Sequence, residues 1–297
     1  MSVFQKKTTL VHHIAYMGLT TAINVIFIVL ATYIPLLMFL LIILLPFISA
    51  VVSYYCQKRY YIIYAIASVL LCFIFNINDT LFYVLPAIIT GFFIGVLLEK
   101  KINPFWLVLT STIIESALTF ALIPLINLIG NVDIVETFLS IFKLNNFTYK
   151  TELTYLFIFF ISLLQCSLTH FVLLSDAKKI GIKINTCVNS FASFIIGNEL
   201  VIVLCFVFSF FYPPLAFIFL AISLYFSMFL IVDLVMSKKT LVYVLLIIAI
   251  VVTFFTFSFL YSIINKPLGL LIMIILPICI VIISFVNNYL LKGKSNI

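Results

Sequence analysis

The sequence predicts an all-α fold: a polytopic integral membrane helix bundle of about ten transmembrane helices, with both termini cytoplasmic. The first observation is composition, since 66% of the 297 residues are hydrophobic, 8% are charged and the mean hydropathy is +1.38. Soluble domains carry about 25% charged residues, so the chain falls in the membrane class. The second is a succession of apolar runs that leaves room for a single membrane domain over residues 1–297.

The predicted spans follow these apolar runs, which prolines, charged pairs and short polar turns separate. Pro35 ends the first run, and the pair Pro213 and Pro214 separates the seventh from the eighth. Tyr60–Phe75 is short against the usual length of about 20 residues, so it is either a re-entrant segment or a span in a thin membrane region. The predicted spans are Ile14–Ile34, Leu36–Tyr55, Tyr60–Phe75, Leu81–Leu98, Phe105–Leu128, Leu153–Leu174, Phe191–Tyr212, Leu215–Met236, Thr240–Ile263 and Leu268–Leu291.

The third observation is the distribution of basic residues. With a cytoplasmic N-terminus, 13 of the 16 Lys and Arg residues fall in predicted inner segments, and only Lys143, Lys150 and Lys266 fall in outer ones. Basic residues are retained on the cytoplasmic side of membrane proteins, and one span more or fewer would break the alternation. The formal charge of +7 therefore indicates topology and does not predict a nucleic-acid partner.

Several classes of functional motif are absent from the sequence. There is no G-x-x-x-x-G-K-[ST] loop, no H-E-x-x-H and no G-x-S-x-G, and the six cysteines contain no C-x-x-C pair. The sequence therefore predicts no metal site, no cofactor and no ATPase activity of the chain's own. It disfavours an enzyme, although membrane proteases assemble sites from dispersed Ser, His or Asp residues.

Acidic residues inside predicted spans are the main candidates for a functional site. Glu115 follows Pro104 by eleven residues, about 16 Å along a helix, which is near the middle of a hydrocarbon core about 30 Å thick. Inserting a charge there costs about 2.5–3.5 kcal/mol. Glu199 lies roughly 12 Å from the inner end of the seventh span. Two interpretations remain open for both: a protonated carboxyl bonded to a neighbouring helix, or a group that binds a cation, a proton or a cationic part of a substrate.

Three amide side chains complete the predicted substrate- or ion-binding set. Asn24 lies in the first span, Gln165 in the sixth, and Asn198 directly before the second of the two acids. Their depth is compatible with one cavity, but the sequence does not decide whether they meet. His170, near the inner end of the sixth span, is predicted to be structural.

Small residues predict places where helices approach closely. Gly18 and Ala22 are four apart in the first span, and Gly91 and Gly95 form a GxxxG motif in the fourth. Packing inside the bundle is the default interpretation, and docking of a partner is the alternative.

Two connections have a composition of their own. The outer segment Ile129–Glu152 has apolar residues at helical spacing, which predicts an interfacial helix in preference to a lid over a cavity. The inner segment Ser175–Ser190 is a basic loop, for which contact with anionic headgroups is favoured over contact with a cytoplasmic partner.

Four stretches of the chain resemble a known family. They are HHIAYMGLTTAINVIFIVLATYIP, LLPFISAVVSYYCQKRYY, LPAIITGFFIGVLLEKK and AKKIGIKI. Together they resemble the YybS-like family of bacterial polytopic membrane proteins. That family is in turn similar to the substrate-specificity (S) components of energy-coupling factor (ECF) vitamin transporters. The resemblance implies a location in the bacterial plasma membrane.

The resemblance also implies a function. An S component is a bundle of about six helices, here residues 14–174, that binds a vitamin or similar nutrient near the outer face. It docks on a transmembrane coupling subunit driven by separate ATPases, and Gly18 with Ala22 would form the docking notch. The four additional spans at 191–291 depart from the S-component plan.

The predicted function is therefore a transporter or membrane-embedded transport subunit that binds a small nutrient. The alternative is a non-transporting scaffold that assembles other envelope proteins, in which the buried acids are structural. An intramembrane enzyme is the third and least favoured reading.

Overall fold

The computed structural model describes residues 6–7, 9–34, 37–130, 133–141, 149–182, 191–236, 240–261 and 269–287. All regular secondary structure in these ranges is helical, which confirms the predicted class for this part of the chain. The helices are α1 (Leu10–Tyr33), α2 (Leu37–Tyr55), α3 (Lys58–Phe75), α4 (Ile77–Glu99), α5 (Pro104–Gly130), α6 (Ile134–Ile141), α7 (Lys150–Ile180), α8 (Phe191–Phe211), α9 (Pro213–Met236), α10 (Thr240–Tyr261) and α11 (Gly269–Phe285).

Within the described ranges, seven helices are long and apolar enough to cross a membrane: α1, α3, α4, α5, α7, α8 and α9. The apolar stretches of α2, α10 and α11 are shorter, at Leu40–Tyr55, Thr240–Thr253 and Ile274–Phe285. These helices indicate a multi-pass membrane protein. The last predicted span ends at Leu291, which lies outside the described residues.

The helix ends follow local chemistry. Thr9 caps α1 by accepting a hydrogen bond from the backbone N–H of His12. Asn76 alone joins α3 to α4, and its side chain accepts from the N–H of Asp79 at 3.0 Å. Gly181 has a positive φ of 68° directly after α7, a conformation that glycine adopts without a steric cost.

Helix α4 is not regular over its whole length. Residues Thr80–Val84 form a π-helical turn, in which the N–H of Leu85 donates to the carbonyl of Thr80. Pro86 follows directly and has no N–H to give to the α-helical ladder, so the irregular turn lies where the regular hydrogen bonding is already interrupted.

The two predicted connections differ from a simple loop. Helix α7 continues through Ser175 to Ile180, so the first part of the predicted inner loop is helical. The ion pair of Lys179 with Asp176, at 2.7 Å and three residues apart, stabilises this extension and raises the pKa of Lys179. In the outer segment, the short amphipathic helix α6 is present. Residues 142–148 and 183–190 lie outside the described ranges.

The chain divides into two compact units, of which unit 1 comprises Met1–Ile134 and Ile161–Val188. Its best-packed helices are α2 and α4, with α1 against α2 and α3, and α5 against α4. A Cβ atom at Gly91 would lie 2.8 Å from the carbonyl oxygen of Pro46, and one at Gly95 would lie 2.7 Å from that of Ala50. The GxxxG motif therefore lets α4 approach the backbone of α2.

Unit 2 comprises Val135–Phe160 and Asn189–Ile297. Helices α8 and α9 form an antiparallel pair joined by the turn before Pro213, and α11 packs against both and against α10. Phe194 of α8 stacks on Phe229 of α9, with ring centroids 5.8 Å apart. The thiol of Cys205 donates to the carbonyl of Ala216 near the turn.

Candidate functional site

The most unusual polar contact in unit 1 joins a carboxyl to a thiol. Glu115 lies in the first half of α5 and is 2% exposed, and Cys166 of α7 is fully buried. The Cys166 thiol donates a hydrogen bond to Oε2 of Glu115 at 3.1 Å. A buried carboxyl with such a modest partner retains capacity for a further donor or a cation, because a thiol is a weak donor.

Hydroxyl groups lie next to this Glu115–Cys166 pair. Ser111 and Thr112, one turn before Glu115, are fully buried and lie beside the Cys166 thiol. The Ser111 hydroxyl donates to the carbonyls of Leu107 and Val108 in its own helix. Among the described residues, the Thr112 hydroxyl makes no hydrogen bond of ordinary geometry, although it lies beside the Cys166 thiol. The site thus combines a carboxyl, a thiol and two hydroxyls in the buried interior of unit 1.

A second group of polar side chains lies between α1, α2 and α3, and we call it the polar seam. The amide of Asn24 donates to the hydroxyl of Tyr64 at 2.8 Å, and this hydroxyl is 3.1 Å from that of Ser49. One turn away, the hydroxyls of Thr21 and Ser68 are 3.1 Å apart. All of these side chains are buried, and Oδ1 of Asn24 accepts no hydrogen bond from the described residues. The seam is a chain of interhelical hydrogen bonds with one open acceptor.

The sixth predicted span contributes two further buried side chains. Gln165 and His170 of α7 are 6% and 5% exposed. In the part of the chain that the structure describes, neither Gln165 nor Asn24 is hydrogen-bonded to Glu115, and both ring nitrogens of His170 are without a partner. The structure therefore gives Glu115 a partner that the predicted set does not include.

The other two predicted residues belong to unit 2 and differ from each other. Asn198 is fully buried, donates to the hydroxyl of Ser227 at 2.9 Å and accepts from that of Ser223 at 2.7 Å. Its amide therefore joins α8 to α9. Glu199 is exposed on the surface of α8, between the exposed side chains of Ile196 and Leu200.

The small residues of the first span also have a distinct position. Gly18 and Ala22 lie on the exposed face of α1, and a Cβ atom at Gly18 would have no neighbour within 4 Å. Gly91 and Gly95, in contrast, are buried against α2. The two predicted notches thus occupy different environments.

Two residues of these networks did not stand out in the sequence. Neither Cys166 nor Tyr64 is among the site residues that the sequence predicts. A helical repeat in α3 contains a signal for the second: Tyr61, Tyr64, Ser68 and Cys72 form its buried face. No comparable sequence signal marks Cys166, because its partner lies 51 residues away.

Among the described residues, no three His, Cys, Asp or Glu side chains are grouped so that they could hold a metal ion. Comparison of the chain with known protein families, curated proteins and solved structures finds no match.

Proposed function

We propose that this multi-pass membrane protein is a transport subunit of the bacterial plasma membrane, and that Glu115 binds the cationic group of a small nutrient or the ion that accompanies it. The observation that carries this proposal is the carboxyl itself, which is buried in a helix of membrane-spanning length and has, among the described residues, only a thiol as hydrogen-bond donor. A purely structural carboxyl would be expected to have stronger partners, because burying such a group is costly.

The proposal includes ten spans with both termini cytoplasmic. Seven long apolar helices and three shorter ones supply that number. In unit 1, the segments assigned to the cytoplasm lie at the same end: Lys6 and Lys58 both pair with Glu99, and the hydroxyl of Tyr55 donates to the carbonyl of Ile180. Such convergence supports the assignment of these segments to one side of the membrane.

The resemblance to YybS-like proteins and ECF S components supports a subunit without catalytic or ATPase activity of its own. Under this proposal, a coupling subunit with its ATPases docks on the exposed face of α1 at Gly18 and Ala22. Asn24 and Gln165 of unit 1 remain proposed substrate- or ion-binding residues, and so, separately, do Asn198 and Glu199 of unit 2.

Ligand-induced thermal stabilisation of the purified protein tests the assignment of Glu115. A panel of water-soluble vitamins, amines and alkali cations is screened, and at least one compound is expected to raise the melting temperature. The isosteric change Glu115→Gln should abolish this shift because it removes the negative charge. The control Glu136→Gln, on the exposed surface of α6, should keep it. An equal shift in both variants would exclude Glu115 from the site.

Co-purification separates transport from the scaffold alternative, which the exposed α1 face also supports. A transport subunit should be recovered with a coupling subunit and ATPases. The bulkier variant Gly18→Leu should lose them, while the protein itself remains folded because a Cβ atom at Gly18 would have no described neighbour within 4 Å. Recovery of cell-division or envelope proteins instead would favour the scaffold.

A further inference from the structure

One end of unit 1 carries a basic cluster made of three segments. The cluster consists of six residues from the start of the chain, the α2–α3 turn and the end of α4: Lys6, Lys7, Lys58, Arg59, Lys100 and Lys101. Lys6 and Lys58 both contact Glu99, at 2.7 and 3.2 Å, and Lys7 donates its backbone N–H to the carbonyl of Tyr55. The three segments are thereby held together in the folded unit.

The cluster has a large surplus of positive charge. The three segments hold six basic residues and one acidic residue, Glu99, which forms ion pairs with Lys6 and Lys58. Asp176, at the end of α7, is already paired with Lys179. Arg59, Lys100 and Lys101 are all exposed. An anion approaching this end of unit 1 therefore meets several cations that Glu99 does not neutralise.

Aromatic rings and a side-chain amide hold part of the cluster in place. The guanidinium of Arg59 lies over the ring of Tyr60 at 4.6 Å, and its Nε donates to the side chain of Gln57 at 2.9 Å. The ammonium of Lys7 lies 4.7 Å from the centre of the Tyr16 ring. A guanidinium whose orientation is already fixed loses less side-chain entropy when it forms two parallel bonds to a phosphate.

An apolar surface continues from the cluster along the same helix. Arg59 lies in the first turn of α3, and Ile62, Ile63 and Ile66 follow it at 63%, 55% and 54% exposure. Residues three and four apart share a helix face, so this apolar stripe begins one turn after the guanidinium. The surface is thus cationic at its end and apolar along its length.

We propose that the basic cluster and the adjoining stripe of α3 form a binding site for an anionic phospholipid. The phosphate contacts Arg59 and Lys58, and an acyl chain lies along Ile62, Ile63 and Ile66. A free phosphate compound would use only the cationic part. A lipid uses both parts, and its headgroup lies at the depth where a membrane-spanning helix such as α3 begins.

Native mass spectrometry of the full-length protein with phosphatidylglycerol and phosphatidylcholine tests this site. The protein should bind phosphatidylglycerol in preference. Arg59→Gln should weaken that binding about fivefold, as expected for one cation near an anionic lipid. The control Lys150→Gln removes the same charge from an exposed position in unit 2 and should leave binding unchanged. Equal binding of the two lipids, or equal losses in the two variants, would overturn the proposal.

A variant that is expected to bind phosphatidylglycerol more tightly distinguishes an effect on the site from damage to the fold. Glu99→Gln releases Lys6 and Lys58, so it should strengthen phosphatidylglycerol binding, whereas a misfolded protein would bind less.

Competition with a soluble compound distinguishes a lipid site from a phosphate site. Millimolar glycerol 3-phosphate supplies the headgroup chemistry without acyl chains. It should displace little lipid, and full displacement would show a phosphate site in place of a lipid site.

Discussion

At the scale of single residues, the partner of Glu115 determines what its carboxyl can do. A carboxylate with two or three strong donors is held in place and stays deprotonated, because hydrogen bonds to the charged form favour that form. Among the described residues, Glu115 has instead the thiol of Cys166, with the hydroxyl of Thr112 beside that thiol. Such a group can exchange its weak donor for a better one, which is the property that a binding residue requires.

The energetic coupling of this pair can be measured. Cys166→Val removes the donor and leaves a buried acceptor unpaired, which typically costs about 1–3 kcal/mol. Cys72→Val is the matched control, because Cys72 is equally buried in unit 1 and its thiol makes no hydrogen bond among the described residues. Unfolding by sodium dodecyl sulfate in mixed micelles should show the larger loss for Cys166→Val. The same two variants are then measured in a Glu115→Met background. If Cys166→Val and Cys72→Val lose the same stability in both backgrounds, the Cys166 thiol contributes nothing through Glu115.

The sequence predicts the depth of Glu115 in the membrane, but it does not predict the partner of this residue. Counting along an apolar run locates a carboxyl within the membrane, since a helix rises by a constant amount per residue. Which residue faces it depends on the rotation and position of α7, which hydropathy does not encode. The same holds for Asn24, whose partner Tyr64 lies 40 residues away on α3.

At the scale of helices, close packing in unit 1 depends on two glycines of α4. The neighbours of Gly91 and Gly95 are backbone atoms of α2 as well as serine side chains, and a backbone cannot move aside as a flexible side chain can. A polar contact also forms where α2 and α4 lie close together: the hydroxyl of Ser53 donates to the carbonyl of Phe92 at 2.9 Å.

Alanine substitution distinguishes the two notches. Gly95→Ala should destabilise the protein by about 1–3 kcal/mol, because the added methyl group would overlap α2. Gly18→Ala should be neutral or slightly stabilising, since its Cβ atom has free space and alanine favours a helix. Thermal aggregation in detergent measures both. Equal stability of the two variants would contradict the packing observed between α2 and α4.

At the scale of the whole molecule, the positions of the basic residues in the sequence can be compared with the ion pairs in the fold. The alternation of basic segments predicts which connections share a side, and within unit 1 the ion pairs of Glu99 bring three of those segments together. One span more or fewer between these segments would place one of them at the opposite end of the helices. The ion pairs are therefore an independent argument for the proposed topology.

Reporter fusions test that topology. Alkaline phosphatase is active only outside the cytoplasm, and green fluorescent protein fluoresces well only inside it. A fusion after Lys101 should fluoresce and lack phosphatase activity, and one after Asp133 should show the reverse, because α5 lies between them. Matching signals at both positions would mean that α5 does not span, and Glu115 would then not lie at mid-depth.

The sequence by itself determined the helical class and the approximate positions of the long apolar helices, and it predicted the depth of Glu115. Those properties depend on composition and on local periodicity, which a single chain displays directly. Only the tertiary structure decided that Glu115 meets Cys166 and that Asn198 joins two helices while Glu199 is exposed. It also decided that Gly95 lies against α2, whereas Gly18 lies on the exposed face of α1. Apolar helices carry few side chains that specify a neighbour, so the choice of neighbour depends on shape complementarity along whole helices.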